Sequence, residues 1–213
     1  MQNKTVKLFA LGALAAATTF GANAENTYDY FVGFDAGTHV SGKVDSAYEN
    51  SMLPEENYNG SSDTDASAIL GISGGAIIND HHRVKFGIAY DALTLDVDSD
   101  DDTADRTDLT ASYDYMLPIA NKLNWTVGAH MGYEFFENDV DYMDGFTYGV
   151  QTGLDYRLTK NWSFGAEIAY TFHNEAEPVE RSEYHHDGIV DVQSSSVQIE
   201  DDVTIMANVQ YHF

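Results

Sequence analysis

The 213-residue chain contains no cysteine, so neither a disulfide nor a thiolate metal site can hold it together. Basic residues are scarce as well: 10 Lys and Arg stand against 35 Asp and Glu, for a formal charge of −25. A surface of that sign repels polyphosphates, which excludes a direct role on DNA or RNA. Beyond Ala24 there is no run of about eighteen apolar residues, so a helical membrane span is excluded too. The acidity is not that of a disordered tail, because hydrophobic residues make up 43% of the chain and aromatic residues 13%.

What is present begins with an export pattern. Lys4 and Lys7 precede a largely apolar stretch from Leu8 to Phe20, and Ala22-Asn23-Ala24 puts small residues where a signal peptidase pocket accepts them. The stretch has no amphipathic face, which argues against a buried helix. Residues 1–24 are therefore expected as a cleaved signal peptide and residues 25–213 as the mature domain. Without Lys4 and Lys7 the charge balance of that domain is 8 − 35 = −27.

After Ala24 the sequence alternates, eight times over. Tyr28, Tyr30, Val32, Phe34 and Ala36 share one parity, as do Leu123, Trp125, Val127, Ala129, Met131 and Tyr133, and again Val203, Ile205, Ala207, Val209, Tyr211 and Phe213. A period of two marks β-strands with an apolar face. The opposite parity carries Asp35, Lys85, Asp91, Asp108, Asp114, Glu134, Asp155, Arg157, Glu167 and Asp202. A soluble sandwich satisfies that alternation equally well, and the connections decide between the two. Ser41 to Asp65, Asp96 to Arg106, Phe135 to Gly145 and His173 to Ser195 are long; Ile78 to Arg83, Leu117 to Lys122 and Thr159 to Asn161 are short. Short turns on the side of both chain ends and long loops on the other are the pattern of a transmembrane barrel. Trp125, Tyr156, Trp162, Tyr211 and Phe213 cluster at the short-turn end, where amphipathic rings favour a membrane interface. The fold expected is all-β: an eight-stranded antiparallel up-and-down transmembrane β-barrel with four long extracellular loops.

The signal peptide, the opening YFVGFDAG, the late YRLTKNWSFGAEIAYTF and the terminal VQYHF resemble the small outer-membrane β-barrel proteins of Gram-negative bacteria, the OmpA-like and opacity-protein group. The resemblance covers the whole mature chain, through loose patterns of aromatics and glycines. It implies a bacterial outer-membrane location, with lipid and lipopolysaccharide as surroundings. It also implies that Phe213, Tyr211 and Val209 form a sorting signal read by the barrel-assembly machinery. Unlike full-length OmpA-type proteins, this chain is expected to lack a periplasmic peptidoglycan-binding domain.

Function is read from the faces and loops. Eight strands enclose an interior that side chains fill, which argues against a general diffusion pore. The expectation is a structural or surface-interaction protein, not an enzyme, whose acidic loops meet an extracellular ligand. A small cation-selective channel and a lipid-modifying hydrolase are the alternatives. Asp35, Asp91, Asp108, Glu134 and Asp202 fall toward the loop end with no Lys or Arg of the same parity recognised nearby. They are either solvated rim carboxylates or a cation site, with calcium or magnesium as the candidates. No cofactor is otherwise expected. Asp96 to Asp102 (DVDSDDD) spaces carboxylates like a calcium loop but lacks its glycine and its bidentate glutamate. The adjacent pairs His81-His82 and His185-His186 read as surface residues. His39, His130, His173 and Glu134 supply hydrolase residue types, but Ile72-Ser73-Gly74-Gly75 falls short of a GxSxG elbow.

Overall fold

The computed structural model describes residues 26–63, 67–97, 100–136, 144–173, 180–186 and 189–213, so the expected signal peptide lies outside the described residues. Twelve strands follow in chain order: β1 (Tyr28–Ser41), β2 (Lys43–Asn50), β3 (Tyr58–Asp63), β4 (Ala68–Ile78), β5 (His82–Val97), β6 (Asp100–Ala120), β7 (Leu123–Phe136), β8 (Gly145–Arg157), β9 (Trp162–His173), β10 (Glu180–His186), β11 (Ile189–Ile199) and β12 (Asp202–His212). Eight of them close a barrel in the order β1-β12-β9-β8-β7-β6-β5-β4. The seam is antiparallel, with Val32 opposite Tyr211 and Phe34 opposite Val209, while the other side of β1 pairs Phe34 with Ile72. Closure leaves the barrel no open edge, which hydrocarbon would penalise by several kcal/mol for each unpaired backbone group. Even Phe213 takes part, donating its amide to Tyr30 O at 3.1 Å.

The faces are inverted relative to a soluble protein. Ile72, Val150 and Ile168 are 63%, 57% and 51% exposed on the outside, while Asp91, Asp114 and Asp155 are at most 1% exposed inside. An apolar exterior around a charged interior is stable only against lipid. Two belts of rings mark its margins. At the end carrying the tight turns Trp162 meets Tyr211 edge-on at 5.1 Å, and Trp125 donates its indole N–H to Thr152 Oγ1 at 2.8 Å. At the loop end Tyr148 and Tyr170 lie 5.2 and 5.0 Å from Phe172, and Tyr133 lies 4.8 Å from Phe135. Only the first belt was expected from the sequence.

The connections differ from the expectation on both sides. Asn79 and Asp80 turn the chain with φ of 52° and 61°, a left-handed conformation their short polar side chains tolerate. The strands run further than apolar alternation indicates, so Arg83 and Arg106, expected as the last residues of connections, are barrel residues. The described part of the acidic stretch from Asp96 to Asp102 is ladder as well: Val97 sits opposite Asp100 and Asp96 opposite Asp101, and residues 98–99 lie outside the described residues. Beyond the barrel, the described parts of the first and last long connections are mostly strand. They join in one four-stranded sheet, β10-β11-β2-β3, in which Ser195 of β11 faces Tyr48 of β2. Most of the connection from Phe135 to Gly145 lies outside the described residues.

Candidate functional site

The lumen is filled in layers, beginning at the loop end with Arg106. Its side chain is 2% exposed and pairs with Asp91 through Nε to Oδ1 at 2.9 Å and Nη2 to Oδ2 at 3.1 Å. Nη1 donates to Glu134 Oε1 at 3.0 Å, and Asp108 Oδ2 lies 3.7 Å from Nε. Arg106 Nη2 also meets His39 Nε2, whose lone pair accepts when Nδ1 carries the proton and donates it to Asp202 Oδ2 at 2.7 Å. His173 Nδ1 reaches the second oxygen of Glu134 at 3.0 Å. One guanidinium thus binds carboxylates from β5 and β7 and an imidazole from β1, and the planar fork of arginine is the group that can do so.

A second layer lies toward the tight turns. Arg83, 2% exposed, donates to Asp114 Oδ2 at 2.8 Å and to Glu167 Oε2 at 3.3 Å, while Lys85 Nζ reaches both Glu167 oxygens at 3.3 Å. Gln151 donates to Asp114 Oδ1 at 2.6 Å and lies 3.1 Å from His130 Nδ1. Room for that imidazole comes from Gly149, where a Cβ would come within 2.6 Å of the His130 ring. Between the two layers remains a cavity of about 140 Å³, lined among others by Asp35, Asp108, Ser112, His130 and Asp202. Below the second layer the buried side chains of Phe31, Ile77 and Met116 form an apolar plug.

Of the five carboxylates expected to share a cation, Asp91, Glu134 and Asp202 belong to one network and Asp108 lies at its margin. Asp35 lines the cavity and takes part in no ion pair among the described residues. The absence of a nearby base does not hold: Arg106 stands at the centre, joined by His39 and His173. The signal was available, since Arg106 precedes Asp108 by two and Arg83 precedes Lys85 by two, the lumenal parity in each case. Their acidic and polar neighbours made both look like loop. Among the described residues no three carboxylates or imidazoles are placed to bind one metal ion directly. At the tight-turn end Arg157 pairs with Asp29 at 2.6 Å, whereas both oxygens of the buried Asp155 have no hydrogen-bond partner among the described residues.

One hydrolase-like constellation escaped sequence reading. Ser163 Oγ lies 2.9 Å from His212 Nε2, and His212 Nδ1 lies 3.1 Å from Asp29 Oδ2. The imidazole is out of line for a hydrogen bond to Asp29, and Ser163 is 0% exposed. A nucleophile whose base lacks an aligned carboxylate, and which substrate cannot reach, does not form a working triad. His39, His130, His173 and Glu134 are likewise bound up in the lumenal networks.

Outside the barrel, Asn50 organises the tip of the first long connection. Its Oδ1 accepts from the amides of Met52 and Leu53 at 2.9 and 3.0 Å, and Asn57 Oδ1 accepts from its own amide at 2.8 Å. The tip holds Met52, Leu53 and Tyr58 exposed at 48%, 41% and 61%, beside Glu55 and Glu56. At the base of the sheet, the Asp45 carboxylate, which accepts a hydrogen bond from protonated Glu200 and repels its ionised form, pushes Glu200 above its usual range, and Tyr170 donates to Asp201 Oδ2 at 2.9 Å.

Known proteins with this architecture are consistent with the geometry. The family model for the outer membrane protein beta-barrel domain matches residues 8–213. The crystal structure of OprG from Pseudomonas aeruginosa superposes with a TM-score of 0.52 at 14% identity, over 88% of this chain and 95% of that one. For the solution structure of OprH from the same organism the TM-score is 0.50 at 22% identity, over 87% and 99%. AlkL in lipid bilayers gives 0.51 at 18%, over 90% and 93%. At these identities the likeness is one of fold. No curated protein matches the sequence.

Proposed function

The chain belongs to the outer membrane protein β-barrel family, and from that premise we propose that it acts through the surface it holds outside the membrane, not through a path across it. The observation that carries this reading is the contrast between the two compartments. Inside, two charge layers and the Phe31, Ile77, Met116 plug occupy the lumen. Outside, two connections far apart in sequence are knit into one sheet, with Val192 donating its amide to Ser51 Oγ at 2.8 Å. Ordering so many residues costs conformational entropy that a functionless loop need not incur. Acidic residues run from the base of the sheet, with Asp45, Glu200 and Asp201, to its tip, where Glu49, Glu55 and Glu56 accompany the exposed Met52 and Leu53. Such a surface suits a cationic extracellular partner, or divalent cations shared with lipopolysaccharide phosphates.

Cells expressing the protein test the reading on surfaces of defined charge. Wild-type cells are expected to adhere to polylysine-coated glass more than cells carrying a variant in which residues 43–63 are replaced by a short turn. Both barrels should show the same heat-modifiable migration. Equal adhesion of the two would contradict the proposal.

The assembly step follows from the end of the chain. Phe213 and Tyr211 are 69% and 40% exposed on the lipid side of the closing strand, with Val209 on the same parity. That supports their reading by the barrel-assembly machinery before the seam with β1 forms.

A further inference from the structure

Beyond Ala24 the chain has 8 basic residues, and their placement is uneven. Arg83, Lys85 and Arg106 belong to the lumenal networks, while Lys43 and Arg181 lie on strands of the outer sheet. The other three, Lys122, Arg157 and Lys160, stand at two neighbouring tight turns, the one joining β6 to β7 and the one joining β8 to β9. Arg157 is matched by Asp29 at 2.6 Å, but the two lysines are exposed and form no ion pair among the described residues. Neither turn carries an acid: Met116 to Asn124 and Arg157 to Ser163 lack Asp and Glu, and the acids flanking them, Asp114 and Asp155, are buried in the lumen. The exposed Asp80 of this end sits on the turn joining β4 to β5, away from β8 and β9. Hydrogen bonds tie the two basic turns together. Arg157 donates its amide to Lys122 O at 2.8 Å, Lys122 Nζ donates to Leu158 O at 2.9 Å, and Arg157 Nη1 donates to Lys160 O at 3.3 Å. Lys122 is held at φ 67°, a left-handed conformation that glycine would adopt without strain. Leu158 O takes one of its three ammonium donors and leaves two for a ligand. On the lipid side of the same strands Trp125, Tyr156 and Trp162 are 44%, 43% and 44% exposed, and Leu158 is 47% exposed beside the lysines.

We propose that these two turns hold an anionic phospholipid of the leaflet at the tight-turn end, its phosphate meeting Lys122 and Lys160 and its chains lying against Trp125, Tyr156 and Trp162. Ammonium groups beside an aromatic and aliphatic wall match both halves of such a lipid, the charged head and the apolar chains. A zwitterionic lipid would suit the wall equally but brings no net charge to the lysines. The inference is independent of the surface reading, which concerns the other end of the barrel. The rest of the molecule works against it: with 35 acids against 8 bases beyond Ala24, an evenly spread charge would deplete anionic lipid from the surroundings of the barrel. The acids of the outer sheet, however, lie beyond roughly 30 Å of hydrocarbon, so screening by salt leaves the field at the turns to local charges.

The chain has 2 tryptophans, Trp125 and Trp162, and both belong to this wall, so their fluorescence reports the lipid beside it. The refolded mature chain in phosphatidylcholine bilayers containing phosphatidylglycerol as a minor component, at about 0.15 M NaCl, provides the test. Bromine is carried on the chains of one lipid or the other, at the same mole fraction. Wild type should be quenched more by brominated phosphatidylglycerol, with an association constant about fivefold that of phosphatidylcholine, the equivalent of one lysine near an anionic surface. Lys122→Gln with Lys160→Gln should abolish the preference, and so should about 1 M NaCl on wild type. Lys43→Gln, at the outer sheet, should leave it unchanged, and all variants should keep the heat-modifiable migration of a folded barrel. Should the double variant fail to fold, Lys160→Gln alone and the salt dependence decide the matter. Equal quenching of wild type by the two lipids, weak quenching by both as when a second copy covers the rings, a preference kept by the folded lysine variants or in high salt, or one lost in Lys43→Gln would each overturn the proposal.

Discussion

At the scale of single residues, burial decides what a charge is worth. Arg106 and Arg157 both pair with carboxylates, but Arg106 is 2% exposed while Arg157 and its partner Asp29 are 26% and 32% exposed. Removing the first leaves Asp91 and Glu134 without their cation in a medium that penalises lone charges; removing the second leaves Asp29 within reach of water. Arg106→Gln is expected to lower unfolding stability in lipid bilayers by about 3–5 kcal/mol, and Arg157→Gln by about 0–1 kcal/mol. Urea titration followed by tryptophan fluorescence measures both, and comparable losses would show that the lumen is wetter than its geometry indicates. Eight lumenal acids, with Lys85 and Arg157, were legible from parity alone, because a period of two fixes which way each side chain points. The buried arginines were not, since Arg106 and Arg83 lie where the apolar face gives out. Orphans such as Asp108 Oδ1 depend on atomic geometry that no sequence pattern carries.

At the scale of elements, the strands that face lipid were readable and those that face water were not. Strands such as β9, with Trp162, Phe164, Ile168 and Tyr170 on one parity, carry the contrast that lipid demands. Strands β2, β3, β10 and β11 lack a sustained apolar alternation in sequence to advertise them; backbone ladders such as Gln193 opposite Asn50 pair them. A sheet of this kind responds to conditions at its base, where Glu200 donates its amide to Lys43 O at 2.8 Å. Hydrogen bonding to Asp45 raises the Glu200 carboxyl above its ordinary 4.5, so the folded sheet binds a proton more readily than the unfolded chain. The stabilisation is fully present below pH 4.5 and is lost as pH rises through the raised value. Hydrogen-exchange protection along β2 and β11 should therefore be slightly greater on the acid side of that window, and Glu200→Gln should remove the difference. A pH dependence unchanged in the variant would place its origin elsewhere.

At the scale of the whole molecule, a seam leaves lipid no unpaired edge, and two charge layers and an apolar cluster pack the lumen. The strand number, the antiparallel order and the side of the long connections all followed from alternation and loop lengths, because a bilayer imposes one geometry on any chain that crosses it as strands. A side-chain-filled interior was expected from the strand number, whereas the acidic parity kept a small cation-selective channel as the alternative. Conductance of the purified mature chain in planar lipid bilayers tests the central claim most directly. A sealed, surface-presenting barrel predicts no steady current across the accessible voltage range, with wild type indistinguishable from protein-free membrane. Stable ohmic steps that favour cations and vanish on Asp108→Asn with Asp202→Asn would contradict it, and would make the lumen the working part of the molecule.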